Sequence, residues 1–182
     1  MLLVVDNGSI YTKTLLDFLS ETKVPHHNIL FDQIKLSKLE NFSSIILSGR
    51  KINNKLMNAT NSKIIKHAVL EKKPLLGICY GAEILALTIG GTIKRLCTQN
   101  KGIEKIKVIK KNPLCDHNIE VFQSHSYAIS KVTGSLISLA KSNSSEFEII
   151  QYKDFNIFGT QFHPEMSDDG KSIIEAFVSL SS

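Results

Sequence analysis

The chain has 182 residues, of which 42% are hydrophobic and 21% are charged, and its formal net charge is +5. This length fits one folded domain covering residues 1–182, and the composition excludes a disordered, collagen-like or coiled-coil chain. The opening apolar run is too short for a signal peptide, and no segment approaches the roughly 20 apolar residues of a membrane span. We therefore expect a cytoplasmic protein that does not enter a membrane.

The first half alternates short apolar runs with helical patterns. The turn-forming pair Asn7-Gly8 ends the first run, Pro74 precedes the last one, and Gly90-Gly91 closes the helix after it. Strand followed by helix, repeated in this way, predicts parallel pairing. We predict strands at 2–6, 29–31, 44–47 and 75–78, and helices at 62–71, 82–89 and over a first apolar face made by Ile10, Leu15, Phe18 and Leu19.

The second half consists mainly of closely spaced segments that favour strands. Such spacing indicates antiparallel hairpins beside or extending the parallel sheet. The fold class is therefore α/β, a three-layer sandwich with a mostly parallel central sheet, flanking helices and additional antiparallel strands. The predicted strands are 106–109, 119–123, 136–140, 147–152 and 157–162, and a last helix is predicted near 171–180.

Basic residues gather between positions 94 and 111. No aromatic residue lies among them and no nucleic-acid-binding motif accompanies them, so a solvated face is favoured over a nucleic-acid interface. A docking surface for an acidic partner protein is a third interpretation. The residues are Lys94, Arg95, Lys101, Lys105, Lys107, Lys110 and Lys111.

Three cysteines, Cys79, Cys97 and Cys115, are widely spaced and contain no C-x-x-C pair. Their number and spacing favour neither a disulfide framework nor a zinc site, and we expect no metal and no cofactor. Cys97 and Cys115 are interpreted as packing residues. Cys79 has a distinct context and is the candidate reactive thiol.

Gly77-Ile78-Cys79-Tyr80-Gly81 lies where a predicted strand passes into a predicted helix. The pattern G-x-C-x-G is a nucleophile elbow with cysteine in place of serine, whose glycines avoid clashes in a tight turn. The helix N-terminus should favour the thiolate. A buried cysteine beside two turn glycines is the alternative interpretation.

Gln161-Phe162-His163-Pro164-Glu165 follows the last predicted strand. A histidine there can reach a cysteine across the sheet, and an acidic residue two positions later can orient its ring. The resulting triad would be Cys79, His163 and Glu165. Alternatively, the histidine occupies a turn and the glutamate is a surface charge.

The two motifs, in this order, resemble those of the class I glutamine amidotransferase family, and the resemblance covers essentially the whole chain. Val4-Val5-Asp6-Asn7-Gly8 is similar to the family's opening, and Ile46-Leu47-Ser48-Gly49 to its oxyanion strand. The resemblance implies a flavodoxin-like glutamine amidotransferase domain. It also implies that the backbone of Ser124-His125-Ser126 holds the amino-acid end of glutamine.

The resemblance further implies a mechanism. Cys79 would attack the amide carbon of glutamine and form a thioester that water hydrolyses, while His163 serves as base and then as acid. The oxyanion would meet backbone N–H groups of Tyr80 and of the Gly49-Arg50 loop. A separate ATP-dependent synthetase subunit would consume the ammonia.

Two functional positions depart from the family pattern. Where the family usually has Ser-Gly-Gly-Pro, this chain has Ser48-Gly49-Arg50-Lys51. Arg50 would either leave the oxyanion hole misformed until a ligand or partner rearranges it, or bring positive charge to the pocket mouth. Glu83 replaces the usual substrate-contacting glutamine. Its carboxylate would suit an α-ammonium, repel an α-carboxylate and raise the pKa of the nearby thiol.

Three functions remain open from the sequence. The first is a glutaminase subunit most similar to the stand-alone glutaminase subunit of GMP synthase, in purine biosynthesis, with anthranilate-synthase-type subunits next. The second is a divergent cysteine hydrolase or lyase acting on another substrate, which Glu83 and Arg50 motivate. The third is a binding protein that retains the triad without using it.

Overall fold

The computed structural model describes residues 1–180, and they form one nine-stranded sheet flanked by helices. The strand order is β2-β1-β3-β4-β9-β8-β7-β5-β6. The strands are β1 (Leu2–Asp6), β2 (His26–Leu30), β3 (Ser44–Leu47), β4 (Leu75–Ile78), β5 (Thr92–Val108), β6 (Ile119–Lys131), β7 (Leu136–Lys141), β8 (Ile149–Tyr152) and β9 (Ile157–Thr160).

Four α-helices cover the sheet: α1 (Thr12–Glu21), α2 (Lys55–Leu70), α3 (Tyr80–Thr88) and α4 (Asp168–Ser179). Strands β2, β1, β3, β4 and β9 pair in parallel, whereas the pairings from β9 through β8, β7 and β5 to β6 are antiparallel. The predicted α/β class is therefore confirmed, with a longer antiparallel part than the sequence predicted. None of the described helices is long and apolar enough to cross a membrane.

Alternation along the buried strands creates two cores, one on each face of the sheet. Leu2 and Val4 face one core, and Leu3 and Val5 face the other. Apolar side chains of α1 and α4 pack in the first core, while those of α2 and α3 pack in the second. This arrangement is the predicted three-layer sandwich, and it fixes the strand ends that carry the candidate site.

Several predicted boundaries were wrong for identifiable reasons. Ile10 is 66% exposed because α1 begins only at Thr12. Helix α2 begins seven residues before the predicted start at position 62, because the Asn54 side chain caps it by accepting a hydrogen bond from the Met57 N–H at 3.1 Å. Strand β5 is far longer than predicted because it pairs with β6 over an exposed segment in which Ile106 is the one buried residue.

Candidate active site

Cys79 lies at the strand-to-helix turn between β4 and α3, as the elbow pattern predicted. Its φ of +50° lies in the left-handed region, which is strained for a residue with a side chain. A Cβ on Gly77 would collide with the backbone of Gly81, and a Cβ on Gly81 would collide with the carbonyl oxygen of Leu47. Both glycines are therefore sterically required, and the turn presents the sulfur to a cavity.

The thiol of Cys79 lies in a buried and partly acidic environment. Burial raises its pKa well above the ordinary value, and the charges of Glu83 and Glu165 raise it further, while the Tyr80 N–H and Arg50 act in the opposite direction. The expected pKa-lowering effect of the helix N-terminus is thus outweighed. Among the described residues, the thiol donates a hydrogen bond to the Ser124 carbonyl oxygen at 4.0 Å and makes none to His163. A protonated resting thiol fits this geometry.

His163 follows β9 and faces the same cavity as Cys79. Its Nδ1 lies 2.9 Å from Oε1 of Glu165, so that Nδ1 donates to the carboxylate and Nε2 is left for a reacting group. Pro164 begins the short 3-10 turn that contains Glu165. His163 and Glu165 are 3% and 2% exposed, so neither is the surface group of the alternative interpretation.

The Gly49-Arg50 loop follows β3, next to β4, the strand that precedes Cys79. The Ser48 hydroxyl donates to the Gly49 carbonyl oxygen at 3.0 Å, and Arg50 pairs with Gly8 in an isolated antiparallel bridge. Arg50 is not among the described non-glycine residues with positive φ. A glycine is therefore not needed at this position for a left-handed backbone, and the Arg50 side chain turns into the cavity.

Glu83 also points into the cavity, where it meets Arg50. Its Oε2 lies 3.9 Å from Nη2 of Arg50, and its Oε1 accepts a long 3.5 Å hydrogen bond from Gln161. Burial raises the pKa of Glu83 to about 7, against the opposing effects of Arg50, Gln161 and His163. The two departures seen in the sequence are thus partners in space, which their separation along the chain concealed.

Ser124, His125 and Ser126 lie inside β6, and not after a strand as predicted, and all three line the cavity. Both ring nitrogens of His125 are engaged, with Nδ1 2.6 Å from the Tyr127 carbonyl oxygen and Nε2 3.1 Å from Oε1 of Gln123. Burial lowers the pKa of His125. This segment therefore forms a rigid wall opposite the elbow.

These groups surround one cavity of about 440 Å³ at the carboxyl ends of β1, β3, β4 and β9. Parallel sheets place ligand sites at this edge. Sequence reasoning missed Tyr11, which packs edge-on against the His163 ring at 4.5 Å between centroids and donates to Ser124 Oγ at 3.2 Å. Its position just after β1 was the available signal. Gln99 and Tyr127 also line the cavity and were missed.

The remaining cysteines and histidines lie outside this cavity. Cys97 is exposed, so its predicted packing role was wrong, because β5 is solvent-exposed there. Cys115 is half-buried against the first core, as expected of a packing residue. Within residues 1–180, no group of three or more His, Cys, Asp or Glu residues is arranged to hold a metal ion.

Comparison with known proteins places the whole chain in one family. The family model described as "Glutamine amidotransferase class-I" matches residues 3–179. A glutamine-hydrolysing GMP synthase subunit from Methanococcus aeolicus is 32% identical over 97% of this chain and 95% of the relative. The GMP synthase subunit of the same description from Pyrococcus furiosus is 28% identical over 99% and 98%.

A solved structure from Thermoplasma acidophilum, provisionally described as a GMP synthase subunit, superimposes with a TM-score of 0.88. It is 26% identical, and the match covers 99% of this chain and 92% of that one. The family match spans both the elbow and the His163-Pro164-Glu165 turn. The chain therefore belongs to the class I glutamine amidotransferase family.

Proposed function

We propose that this chain is the glutaminase subunit of a GMP-synthase-type enzyme, which hydrolyses glutamine to glutamate and delivers ammonia to a partner synthetase. The observation that carries the proposal is the strained Cys79 elbow facing the same cavity as the buried His163–Glu165 pair. Relatives named as glutamine-hydrolysing GMP synthase subunits, matched almost from end to end, support the branch.

In the proposed reaction, Cys79 Sγ attacks the side-chain amide carbon as His163 Nε2 removes the thiol proton. Burial raises the pKa of the thiol, so the attack needs a base, and His163 Nε2 is the group assigned to that role. Glu165 holds Nδ1–H and stabilises the imidazolium that forms. The ring then protonates the amide nitrogen, the C–N bond breaks, ammonia departs and a thioester remains.

The second half of the reaction reverses these roles. His163 takes a proton from water, the water oxygen attacks the thioester carbon, and Cys79 leaves as the thiol with glutamate as product. In both tetrahedral intermediates the oxyanion would receive N–H groups of Tyr80 and of the Gly49-Arg50 loop. The 124–126 wall and Glu83 are assigned to the amino-acid end of the substrate.

The partner is proposed to be an ATP-dependent synthetase subunit that forms GMP. The relatives are named as one subunit of GMP synthase, which supports a second chain in those enzymes. The alternative of a divergent hydrolase was motivated by Arg50 and Glu83. The relatives named as glutamine-hydrolysing subunits, together with the contact between these two residues, favour glutamine as the substrate.

The test combines the purified chain with the synthetase subunit of the same organism and glutamine, and measures glutamate, ammonia and GMP. We expect glutamate release in step with GMP, and the loss of both with Cys79→Ala. With added ammonia in place of glutamine, the Cys79→Ala mixture should still form GMP. Glutamine-dependent GMP formation that survives Cys79→Ala would refute the proposal.

A further inference from the structure

An ion pair between Arg50 and Glu83 lies inside the candidate catalytic cavity, and the proposed mechanism gives a role to Glu83 alone. The side chains of Arg50 and Glu83 are only 16% and 6% exposed, whereas the Lys13–Asp17 surface pair is 83% and 55% exposed. Buried charges cost free energy unless they are well paired. The arrangement of this pair is therefore informative.

The contact between the two charges is loose. Nη2 of Arg50 is 3.9 Å from Oε2 of Glu83, too far for a hydrogen bond, and Oε1 has only its long bond to Gln161. The guanidinium is nevertheless held firmly, because Nη1 donates to Asn53 at 2.7 Å and Asn58 at 3.2 Å. The guanidinium thus faces the cavity as a fixed donor, and the Glu83 carboxylate faces it with acceptor capacity to spare.

The guanidinium is also fixed from below. Its Cζ lies 4.2 Å from the centroid of the Tyr80 ring, a cation–π contact, and the Tyr80 hydroxyl donates to Asn58 at 2.8 Å. Preorganised charges of this kind bind a ligand without paying for side-chain ordering. The pair is therefore built for recognition, at a cost in the stability of the empty site.

The pair lies in the same cavity as the candidate nucleophile, one helical turn away along the chain. Glu83 lies one turn of α3 beyond Cys79, and its N–H donates to the Cys79 carbonyl oxygen at 3.0 Å. Four residues of a helix correspond to a rise of about 6 Å along its axis. Two methylene groups separate the amide of glutamine from its α-carbon. Because Cys79, Arg50 and Glu83 line one cavity, a glutamine whose amide lies at the sulfur can place its α-ammonium and α-carboxylate beside the pair.

We propose that Arg50 and Glu83 together form a charge clamp that reads the zwitterionic head of glutamine, Glu83 accepting from the α-ammonium and Arg50 donating to the α-carboxylate. Glu83 alone would repel the carboxylate, and Arg50 alone would repel the ammonium. As a pair they are complementary to both charges. The clamp rests on the proposed function, since it names how that substrate is selected.

The test compares kcat/KM for three amides: L-glutamine, glutaramate, which lacks the amino group, and 4-aminobutanamide, which lacks the carboxylate. Glu83→Ala removes the carboxylate without restoring the glutamine that is usual in the family. It should lower kcat/KM for glutamine and 4-aminobutanamide by about 10- to 100-fold, mainly through KM, and change kcat/KM for glutaramate by at most about 3-fold. Arg50→Gln should lower kcat/KM for glutamine and glutaramate to the same extent and leave kcat/KM for 4-aminobutanamide unchanged.

Matched controls remove the same charges elsewhere. Lys55→Gln and Glu21→Gln change exposed residues outside the cavity and should leave all three values unchanged. If Arg50→Gln fails to fold, Arg50→Lys keeps the charge and tests the guanidinium fork. If both variants lower kcat/KM equally for all three amides, or for none of them, the clamp is wrong and the ion pair is purely structural.

Binding to Cys79→Ala, measured by calorimetry, separates the clamp from the proposed function. Glutamine bound at least about 10-fold more tightly than glutaramate, with no hydrolysis by the native protein and its partner, would uphold the clamp and refute the glutaminase. Hydrolysis of all three amides with equal kcat/KM would uphold the glutaminase and refute the clamp.

Discussion

Replacing Gly49 with alanine tests whether close packing at the end of β3 positions the imidazole of His163, the proposed base. A Cβ at this position would lie 2.9 Å from Cε1 of His163 and 3.3 Å from Oγ of Ser9. Carbon atoms prefer separations of about 3.5–4.0 Å, so the ring must move by roughly 0.6–1 Å. The ring has little freedom to move without loss, because Glu165 holds Nδ1 and Tyr11 packs against its face.

A displacement of about 1 Å costs on the order of 10²-fold in rate. We therefore expect Gly49→Ala to lower kcat for glutamine hydrolysis by about 100-fold, measured by ammonia release with the synthetase present. The melting temperature should fall only modestly, because the restriction that alanine places on the unfolded chain offsets part of the strain of the clash. Gly134→Ala is the matched control, since a Cβ there meets nothing within 4 Å. A Gly49→Ala enzyme within about 3-fold of the native kcat would refute the packing argument.

Three further predictions concern other parts of the structure. Glu165→Gln should lower kcat by about 10²- to 10⁴-fold because the imidazolium loses its counter-charge, and an unchanged kcat would exclude Glu165 from the triad. Burial raises the pKa of Glu148 from 4.5 to about 7, so its favourable contribution to stability is present below pH 4.5 and is lost as the pH rises through 7. The free energy of unfolding of Glu148→Gln, measured in denaturant melts, should therefore rise relative to that of the native protein by up to roughly 3 kcal/mol between pH 5 and pH 8. A difference that does not depend on pH would contradict this. Asn54→Ala should lower the free energy of unfolding by about 1 kcal/mol through loss of the α2 cap, whereas Asn54→Asp should retain most of it.

Local chemistry explains what the sequence could predict. The Cys79 elbow depends on sterics within five residues, and the His163–Glu165 pair on a spacing of two, so both could be placed from the sequence. The contact between Arg50 and Glu83 could not, because it depends on β3 lying beside β4 and on the direction in which two long side chains turn. Sequence reasoning treated them as separate departures with separate consequences.

The raised pKa of the Cys79 thiol was likewise only half predicted. The helix N-terminus and the acidic Glu83 were both recognised as influences from the sequence, with opposite signs. Burial decides the balance, and it depends on how β6 closes over the elbow. Packing between distant segments, unlike the chemistry of a motif, cannot be predicted from any short stretch of the chain.

The central claim is that Cys79 is a nucleophile in a pocket that recognises glutamine. A chloroketone analogue of glutamine, followed by intact mass and peptide mapping, tests the nucleophile and the pocket together. Mapping is needed because Cys97 is exposed and will react with general thiol reagents. We predict a single adduct at Cys79 that excess glutamine blocks and that Cys79→Ala lacks. Alkylation of Cys79 by iodoacetamide, without a glutamine-protected chloroketone adduct in the presence or absence of the synthetase, would contradict the claim.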